Sequence, residues 1–289
     1  APPPDLVPRR ISVSRVETLV RDPYAIHARQ ILLLDPLRPL GMAADAALRG
    51  TLIHDAVARF SEKGDPFAED AAERLIAMGE GLFADSGVDR ERIFFWLPSF
   101  RRAARAFIGW ERGRRGAIAR LATEQQAQLD LALADGSVFT LSGRADRIET
   151  LNDGSLAIID FKTGLPPSRK EVLRGLSPQL TLEAAMAARG AFSPAQTGAR
   201  VSSLIYVRLS GARSGAFDTD LTASGGKDVV DPQTVPEEHL RKLVARMNAL
   251  IAGRIGFTSR AAPKFVDDEG DYDHLARVAE WSRGGDEDE

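Results

Sequence analysis

The alternation of apolar and polar residues divides the chain into a helical first part and a later part that mixes strands with helices. In the first part, apolar residues recur about every three to four positions, which is the spacing of an amphipathic helix. Proline and glycine interrupt this spacing and mark the ends of helices. The predicted helices cover residues 13–33, 45–63 and most of 68–120, with breaks near Pro23, 85–87 and 97–99.

From residue 126 onward, the pattern changes to the two-residue alternation and short apolar runs of β-strands. Strands that alternate with helices usually share one sheet that the helices cover. The sequence therefore predicts an α/β fold, with a mixed central β-sheet flanked by helices and an N-terminal helical region. The predicted strands are 126–133, 138–150, 156–161 and 201–209, the helices are 178–188 and 236–255, and 210–235 is a loop or extended hairpin.

The second and third of these strands bring two acidic residues to the same level. Asn-Asp-Gly at 152–154 suits a three-residue hairpin loop with the glycine in the left-handed conformation. If Leu151 opposes Ser155, Asp146 lies directly across from Asp160, with Cβ atoms roughly 5 Å apart. A two-residue turn would make the two acids diagonal neighbours, which still permits shared ligation. Two carboxylates this close need a proton or a cation between them, and Mg²⁺ or Mn²⁺ suits their oxygen atoms.

Lys162 follows Asp160 by two residues, so both side chains share one face of the strand while Phe161 points to the other. Charged groups at the end of an apolar strand are costly to bury unless their charges are used. One interpretation is a structural salt bridge at the edge of the sheet. The other is a metal-dependent site, in which the lysine positions or activates water and the carbonyl of Phe161 adds an oxygen ligand.

Composition narrows the possible chemistry. The 289 residues contain no cysteine, which excludes disulfides, thiolate zinc sites and cysteine-bound iron–sulfur clusters. The formal net charge of −3 predicts that any contact with nucleic acid is local. No apolar run approaches the ~20 residues of a membrane span, so we expect a cytoplasmic protein without a membrane partner. The proline-rich start without methionine suggests a piece of a longer polypeptide.

Four motifs carry a resemblance to a known family. Residues 143–149 (Gly-Arg-Ala-Asp-Arg-Ile-Glu) and 158–164 (Ile-Ile-Asp-Phe-Lys-Thr-Gly) contain the paired acids and the lysine. Residues 49–54 (Arg-Gly-Thr-Leu-Ile-His) match a histidine motif, and residues 177–183 (Ser-Pro-Gln-Leu-Thr-Leu-Glu) resemble a glutamine motif. In order and spacing, the four motifs resemble the RecB-type nuclease domain of the PD-(D/E)XK nucleases.

The resemblance extends to both ends of the chain, because residues 12–17 and 271–278 resemble the C-terminal part of the AddB subunit of bacterial AddAB helicase–nucleases. It implies a restriction-endonuclease-like core and a deoxyribonuclease acting exonucleolytically on single-stranded DNA in double-strand break repair. It also implies an AddA-like helicase–nuclease subunit as partner. The alternatives are a catalytically inactive DNA-holding scaffold and a hydrolase of another phosphate ester.

The resemblance also assigns roles to individual residues. The metal ligands it implies are His54, Asp146, Asp160 and the Phe161 carbonyl, and the catalytic residues are Asp146, Asp160, Lys162 and Gln179. Glu183 stands where the glutamine motif usually has tyrosine, so it either joins the metal shell or is solvated. Asp22 stands where many members have a cluster-binding cysteine, so we expect no iron–sulfur cluster.

Four arginines are candidates for DNA contact. Arg144 shares the face of Asp146 and suits a bidentate phosphate contact, but a pair with a nearby acid is an equally good interpretation. Arg147 lies on the opposite side of the same strand. Arg101 and Arg105 belong to a basic helical stretch with interleaved aromatic residues, which suits a surface for single strands, although a charge-rich helix is more often a solvated face.

These observations define the expected organisation of the chain. We predict a linker over 1–11, a RecB-like nuclease domain over 12–283 and a disordered acidic tail over 284–289. Within the domain, 12–123 is the mainly helical part, 124–255 is the α/β catalytic core and 256–283 is a C-terminal packing segment.

Overall fold

The computed structural model describes residues 2–36, 45–193, 195–211, 217–224, 228–266 and 270–281. The α-helices are α1 (Val13–Arg21), α2 (Pro23–Ile26), α3 (Asp45–Lys63), α4 (Ala71–Asp85), α5 (Arg90–Arg115), α6 (Arg169–Leu173), α7 (Gln179–Ala188), α8 (Thr234–Ile251) and α9 (Val278–Trp281). The strands are β1 (Arg10–Ser12), β2 (Ile118–Ala132), β3 (Val138–Leu151), β4 (Leu156–Lys162), β5 (Val201–Arg208) and β6 (Asp218–Asp220). Short 3₁₀ segments cover Pro4–Leu6 and Pro263–Phe265, and a π-helical turn covers His27–Ile31.

The strands of the described residues form one mixed sheet in the order β1-β3-β4-β5-β6, with β2 paired to the other edge of β3. The pairs β1–β3 and β4–β5 are parallel, whereas β2–β3, β3–β4 and β5–β6 are antiparallel. Helices cover both faces. The predicted α/β fold with a mixed central sheet is confirmed.

Strand β4 separates two apolar cores. Ile158 packs with residues of α1, α7 and α8 on one face of the sheet. Ile159 and Phe161 pack with residues of α3, α4 and α5 on the other face. The predicted alternation of side chains along this strand is therefore confirmed, and each face of the sheet gains stability by burying its own apolar layer.

Helix α5 is longer than the sequence predicts. It continues through Pro98, where a break was expected. Pro98 lacks a backbone N–H, so the helix has one i→i−4 hydrogen bond fewer at this point. Trp96 and Phe100 both pack edge-on against Phe83 of α4, with ring centroids 5.8 Å and 5.3 Å apart. Tertiary packing thus overrides the local preference of proline.

The boundaries of the N-terminal half also differ from the prediction. The linker predicted over 1–11 is wrong in part, because Arg10–Ser12 forms β1 and both Val7 and Ile11 are buried in the core. Strand β2 begins at Ile118 rather than at residue 126, because it pairs with β3 over nearly its full length. The predicted tail over 284–289 lies outside the described residues.

Strand β3 is forked along one of its edges. β1 pairs in parallel with residues 140–142, and β4 pairs antiparallel with residues 147–150, so both strands occupy the edge that β2 leaves free. Residues 143–146 lie between the two pairings. The carboxyl ends of β1 and β4 therefore converge on this short stretch of β3, and Asp146 is its last residue.

The C-terminal segment packs against the junction between α1 and α2. The Tyr24 N–H donates a hydrogen bond of 3.2 Å to the Thr258 carbonyl. The Arg260 N–H donates one of 3.0 Å to the buried carboxylate of Asp22. At the position where the resembled family often has a cysteine, this chain thus has a hydrogen-bonded aspartate. Among the described helices, none is long and apolar enough to cross a membrane.

Candidate active site

The register of the β3–β4 hairpin brings the two predicted acids together. The Leu151 N–H donates a hydrogen bond of 2.8 Å to the Ser155 carbonyl, and Gly154 has a φ of +81°, as the three-residue loop requires. Continuing this register along the strands places Asp146 opposite Asp160. The Phe161 N–H donates a 2.8 Å hydrogen bond to Oδ2 of Asp146. The predicted register is therefore confirmed, and the Asp146 carboxylate is anchored to β4.

Lys162 and Gln179 surround the second acid. Nζ of Lys162 lies 3.0 Å from Oδ1 and 2.8 Å from Oδ2 of Asp160. Nε2 of Gln179, the first residue of α7, donates a 2.8 Å hydrogen bond to the same Oδ1. Lys162 also donates to Oε1 of Gln179 at 3.3 Å. The three side chains thus form one closed hydrogen-bonded group.

His54 reaches the first acid from α3. Its Nδ1 lies 3.4 Å from Oδ2 of Asp146, and its ring packs edge-on against Phe161 with centroids 6.1 Å apart. One turn earlier, Gly50 lies so close to Thr163 that a Cβ atom would meet the threonine hydroxyl at 3.2 Å. The glycine therefore allows α3 to approach the end of β4 closely, and this approach places His54 beside the acid pair.

Burial and mutual charge shift the pKa values of this group. Burial raises the pKa of Asp160 to about 6, because the charge of Lys162 opposes this rise only in part and that of Asp146 adds to it. Burial also raises the pKa of Glu183 well above its ordinary value, and the nearby charges of Asp160 and Asp146 raise it further. Burial alone would lower the pKa of His54, but the hydrogen bond and charge of Asp146 outweigh it and the net shift is upward. The site therefore holds an excess of buried negative charge.

These side chains line a single cleft with a volume of about 880 Å³. His54, Asp146, Asp160, Lys162 and Gln179 lie at its wall together with Arg144. The end of β1, the start of α1, polar side chains of β2 and the middle of β3 complete the wall; they include Ser12, Ser14, Gln126, Gln128 and Ser142. The structure thus brings the side chains of the predicted metal ligands and catalytic residues into one concave, polar surface.

The donor atoms fit a hard divalent cation in their chemistry. No group of three or more histidine, cysteine, aspartate or glutamate side chains within the described part of the chain is already arranged to hold a metal ion. Oε2 of Glu183 is nevertheless buried without a hydrogen-bond partner, and Oδ2 of Asp160 is buried with only the ammonium group of Lys162 beside it, 2.8 Å away. Buried carboxylate oxygens with so few partners, with His54 and Asp146 alongside, suit Mg²⁺ or Mn²⁺. Their role as ligands remains a prediction, as does that of the Phe161 carbonyl.

Glu124 is a residue of this site that the sequence analysis missed. It lies on β2 at the level of Asp146 and has a φ of +51°, which is uncommon for a residue other than glycine. Its Oε2 lies 2.9 Å from Nε of Arg144, while its Oε1 is buried without a hydrogen-bond partner. Burial and the charge of Asp146 both raise its pKa. The strained backbone thus turns an additional carboxylate toward the acid pair.

The four arginines predicted to contact DNA differ in their surroundings. Arg144 lines the cleft but is paired with an acid, so both of its interpretations have support. The DNA contact predicted for Arg147 is wrong, because its side chain is fully buried between Glu111 and Glu149. An arginine without solvent access cannot reach a phosphate, and its charge instead neutralises two buried carboxylates.

The remaining two arginines lie on α5, away from the residues that line the cleft. Arg101 is exposed and pairs with Glu80 at 2.6 Å, and Arg105 is also exposed. The aromatic residues expected to alternate with them do not form a stacking surface there. Phe107 is buried, and Trp110 packs beneath Arg114 and Arg147. DNA contact by Arg101 and Arg105 remains a prediction.

Cation binding should depend on pH because Asp160 must lose its proton first. The raised pKa of about 6 means that a proton competes with the cation below this pH. Mn²⁺ affinity should fall by about tenfold per pH unit or more as the pH decreases from 6 to 5, because His54, whose pKa is also raised, must lose its proton as well to act as a ligand. Isothermal titration with Mn²⁺ across this range measures the effect. Equal affinity at pH 5 and pH 7 would contradict it.

The fold and the site together define a class of protein. A mixed sheet in which two acids face each other across a hairpin, with a lysine two residues after the second, is the arrangement of metal-dependent nucleases of the PD-(D/E)XK type. A family model described as the PD-(D/E)XK nuclease superfamily matches residues 10–264. The chain therefore belongs to the PD-(D/E)XK nuclease superfamily.

The curated relatives of this chain are much longer than the segment that they share with it. An uncharacterized protein of Rickettsia bellii (strain RML369-C) is 29% identical over 187 residues, which cover 64% of this chain and 22% of that protein. An uncharacterized protein of Rickettsia felis (strain URRWXCal2) is 28% identical over 233 residues, which cover 79% of this chain and 27% of that protein. The chain thus spans about a quarter of the length of the curated relatives it matches.

Among solved structures, this chain is similar to the one described as the crystal structure of SSO0001. The alignment covers 83% of this chain and 76% of that chain. Its sequence identity is 14% and its TM-score is 0.30. A superposition this loose supports no inference about fold or function.

Proposed function

We propose that this domain is a metal-dependent deoxyribonuclease that hydrolyses single-stranded DNA from its ends. The observation that carries the proposal is the convergence of Asp146, Asp160, Lys162, Gln179 and His54 on one polar cleft. A purely structural salt bridge between Asp160 and Lys162 would not require the histidine and the second acid beside it. Nor would it explain the buried Oε2 of Glu183, which lacks a hydrogen-bond partner.

The residues divide into two functional groups. His54, Asp146, Asp160 and the Phe161 carbonyl would hold Mg²⁺ or Mn²⁺, which supplies Lewis-acid stabilisation of the phosphate and a more acidic water. Lys162 lines the cleft with its ammonium group beside Asp160 and would orient the attacking water. Gln179 fixes the relative positions of the Lys162 and Asp160 side chains through hydrogen bonds with both. Arg144 is placed to contact a phosphate once it leaves Glu124.

The cellular setting follows from the resemblance to AddB. We propose that the domain belongs to a longer cytoplasmic polypeptide that assembles with an AddA-like helicase–nuclease subunit. The partner would unwind DNA at a double-strand break and deliver single strands to the cleft. Relatives that are about four times longer than the matched segment are compatible with such an arrangement. The bound nucleic acid would contact the cleft locally, since the net charge of the chain is −3.

The test is hydrolysis of end-labelled single-stranded DNA by the purified protein with Mg²⁺ or Mn²⁺. We expect shortened products that depend on the metal and are suppressed by a chelator. Parallel reactions with duplex DNA, RNA and a small phosphate ester define the substrate class. Binding of single strands without any hydrolysis would instead support the scaffold alternative. Preferred hydrolysis of the small ester would support the third alternative.

A further inference from the structure

Glu183 occupies a position that the resemblance to the RecB-type family leaves without an assigned role. It lies in α7, one turn after Gln179, and its side chain is completely buried. Solvation, one of the two interpretations of Glu183, is wrong because the carboxylate has no access to solvent. Burying a carboxylate in this position costs free energy, and specific contacts must offset that cost.

The contact that Glu183 makes is with Gln179. Nε2 of Gln179 donates a 3.1 Å hydrogen bond to Oε1 of Glu183 and a 2.8 Å hydrogen bond to Oδ1 of Asp160. Both N–H groups of this amide are therefore used, one by each carboxylate. The amide oxygen of Gln179 faces the ammonium group of Lys162 at 3.3 Å.

This arrangement permits only one orientation of the Gln179 amide. Turning the amide over would direct its oxygen at two carboxylates and its N–H groups at an ammonium ion. Asp160 and Lys162 fix one N–H group and the oxygen, and Glu183 fixes the remaining N–H group. Without Glu183, the amide would lose one of three restraints and gain freedom to tilt away from Lys162.

A packing role alone does not account for Glu183. Its neighbours in α7 are apolar and buried, including Leu182, Ala184 and Met186. An apolar side chain of similar size would fill the same space without burying charge. Oε2 of Glu183 has no hydrogen-bond partner, so the carboxylate is not retained for stability.

We propose that Glu183 is a positioning residue that holds the Gln179 amide, and through it Lys162, in the orientation needed for hydrolysis. This inference rests on the proposed nuclease function. In this chain, a carboxylate takes this role at the position where the resembled family usually has tyrosine.

Two variants separate positioning from packing. Glu183→Leu keeps the volume but removes the acceptor, so DNA hydrolysis should fall about 30-fold in kcat, the effect of losing one hydrogen bond to a charged group. The melting temperature should stay unchanged or rise, because a buried carboxylate is removed. Glu183→Gln keeps an amide oxygen as acceptor and should retain kcat within about threefold of the parent protein. Leu182→Met, a volume-conserving change at the next residue, serves as the control for packing in α7.

A second measurement does not depend on activity. The side-chain amide protons of Gln179, followed by ¹⁵N-edited NMR, should both be protected from exchange with water in the parent protein and in Glu183→Gln. One of them should lose protection in Glu183→Leu. If the parent protein does not hydrolyse DNA, the proposed function fails, while the NMR result still decides whether Glu183 restrains the amide.

Three results would overturn the inference. The first is full activity of Glu183→Leu with unchanged protection of Gln179. The second is a melting temperature that falls together with activity, which indicates a structural role only. The third is a loss of kcat in Glu183→Gln as large as in Glu183→Leu, which would show that the charge rather than the hydrogen bond is needed.

Discussion

Asp160→Asn should reduce DNA hydrolysis by about 10³-fold, because it removes one of the two facing carboxylates while preserving the shape of the side chain. A metal-binding carboxylate contributes several kcal/mol of transition-state stabilisation, and about 4 kcal/mol corresponds to this factor. Asp160 is almost fully buried and is held by Lys162 and Gln179. The asparagine oxygen can still accept one of these hydrogen bonds. The measurement is kcat for single-stranded DNA with Mg²⁺.

The same variant should be more stable than the parent protein in the absence of metal. Since the pKa of Asp160 is raised to about 6 in the folded protein, its contribution to stability is present below about pH 4 and is lost as the pH rises through 6. Asparagine avoids this loss, so the melting temperature should rise at pH 7 but not at pH 4. Asp85→Asn, an exposed change at the end of α4, is the matched control. Hydrolysis by Asp160→Asn at the parent rate would remove the proposed site from consideration.

Arg147→Met should lower the free energy of unfolding by about 3 kcal/mol. Nη1 of Arg147 lies 2.7 Å from Oε2 of Glu111, and its Nε donates a 2.8 Å hydrogen bond to Oε1 of Glu149. All three side chains are fully buried. Removing the guanidinium group leaves Glu111 with Arg115 and Glu149 with Arg114, so each buried carboxylate loses the more deeply buried of its two positive partners. Urea unfolding followed by circular dichroism measures the change.

Two controls define the origin of that loss. Arg105→Met changes an exposed arginine of α5 and should alter stability by less than about 0.5 kcal/mol. Adding Glu111→Gln to Arg147→Met removes a buried charge whose remaining partner is the half-buried Arg115, and should recover part of the stability. An Arg147→Met protein as stable as the parent, with weaker DNA binding, would instead restore the role in DNA contact that its burial argues against.

The local signals in the sequence were sufficient to predict the β3–β4 hairpin. The glycine at position 154 determined the loop, the loop determined the register, and the register placed Asp146 opposite Asp160. The alternation of side chains along β4 also predicted which residues lie on each face of the sheet. These predictions succeeded because a two-residue period and a short loop leave few alternative registers for the two strands.

The predictions that failed depend on contacts between distant segments. Nothing local indicates that Pro98 remains within a helix or that Arg147 is enclosed by acids from α5 and β3. Strand β1 becomes a strand only because β3 offers a free edge. Glu124 has a local signal, because Asp135-Gly136 between the two predicted strands is a typical turn sequence. In the structure, the Leu133 N–H donates a hydrogen bond to the Ser137 carbonyl, and the register that this sets places residue 124 opposite residue 146.

The fork in β3 also bears on how the two acids are held. Residues 143–146 lie between the pairings of β1 and β4, and on the other edge the pairing with β2 omits Glu124 at the level of Asp146. Asp160 is paired on one side only, with Tyr206 of β5, because the β3–β4 pairing ends at Ile159. The distance between the two carboxylates is therefore set less by the backbone ladder than by side-chain contacts. Asp146 is held by the Phe161 N–H and His54, and Asp160 by Lys162 and Gln179.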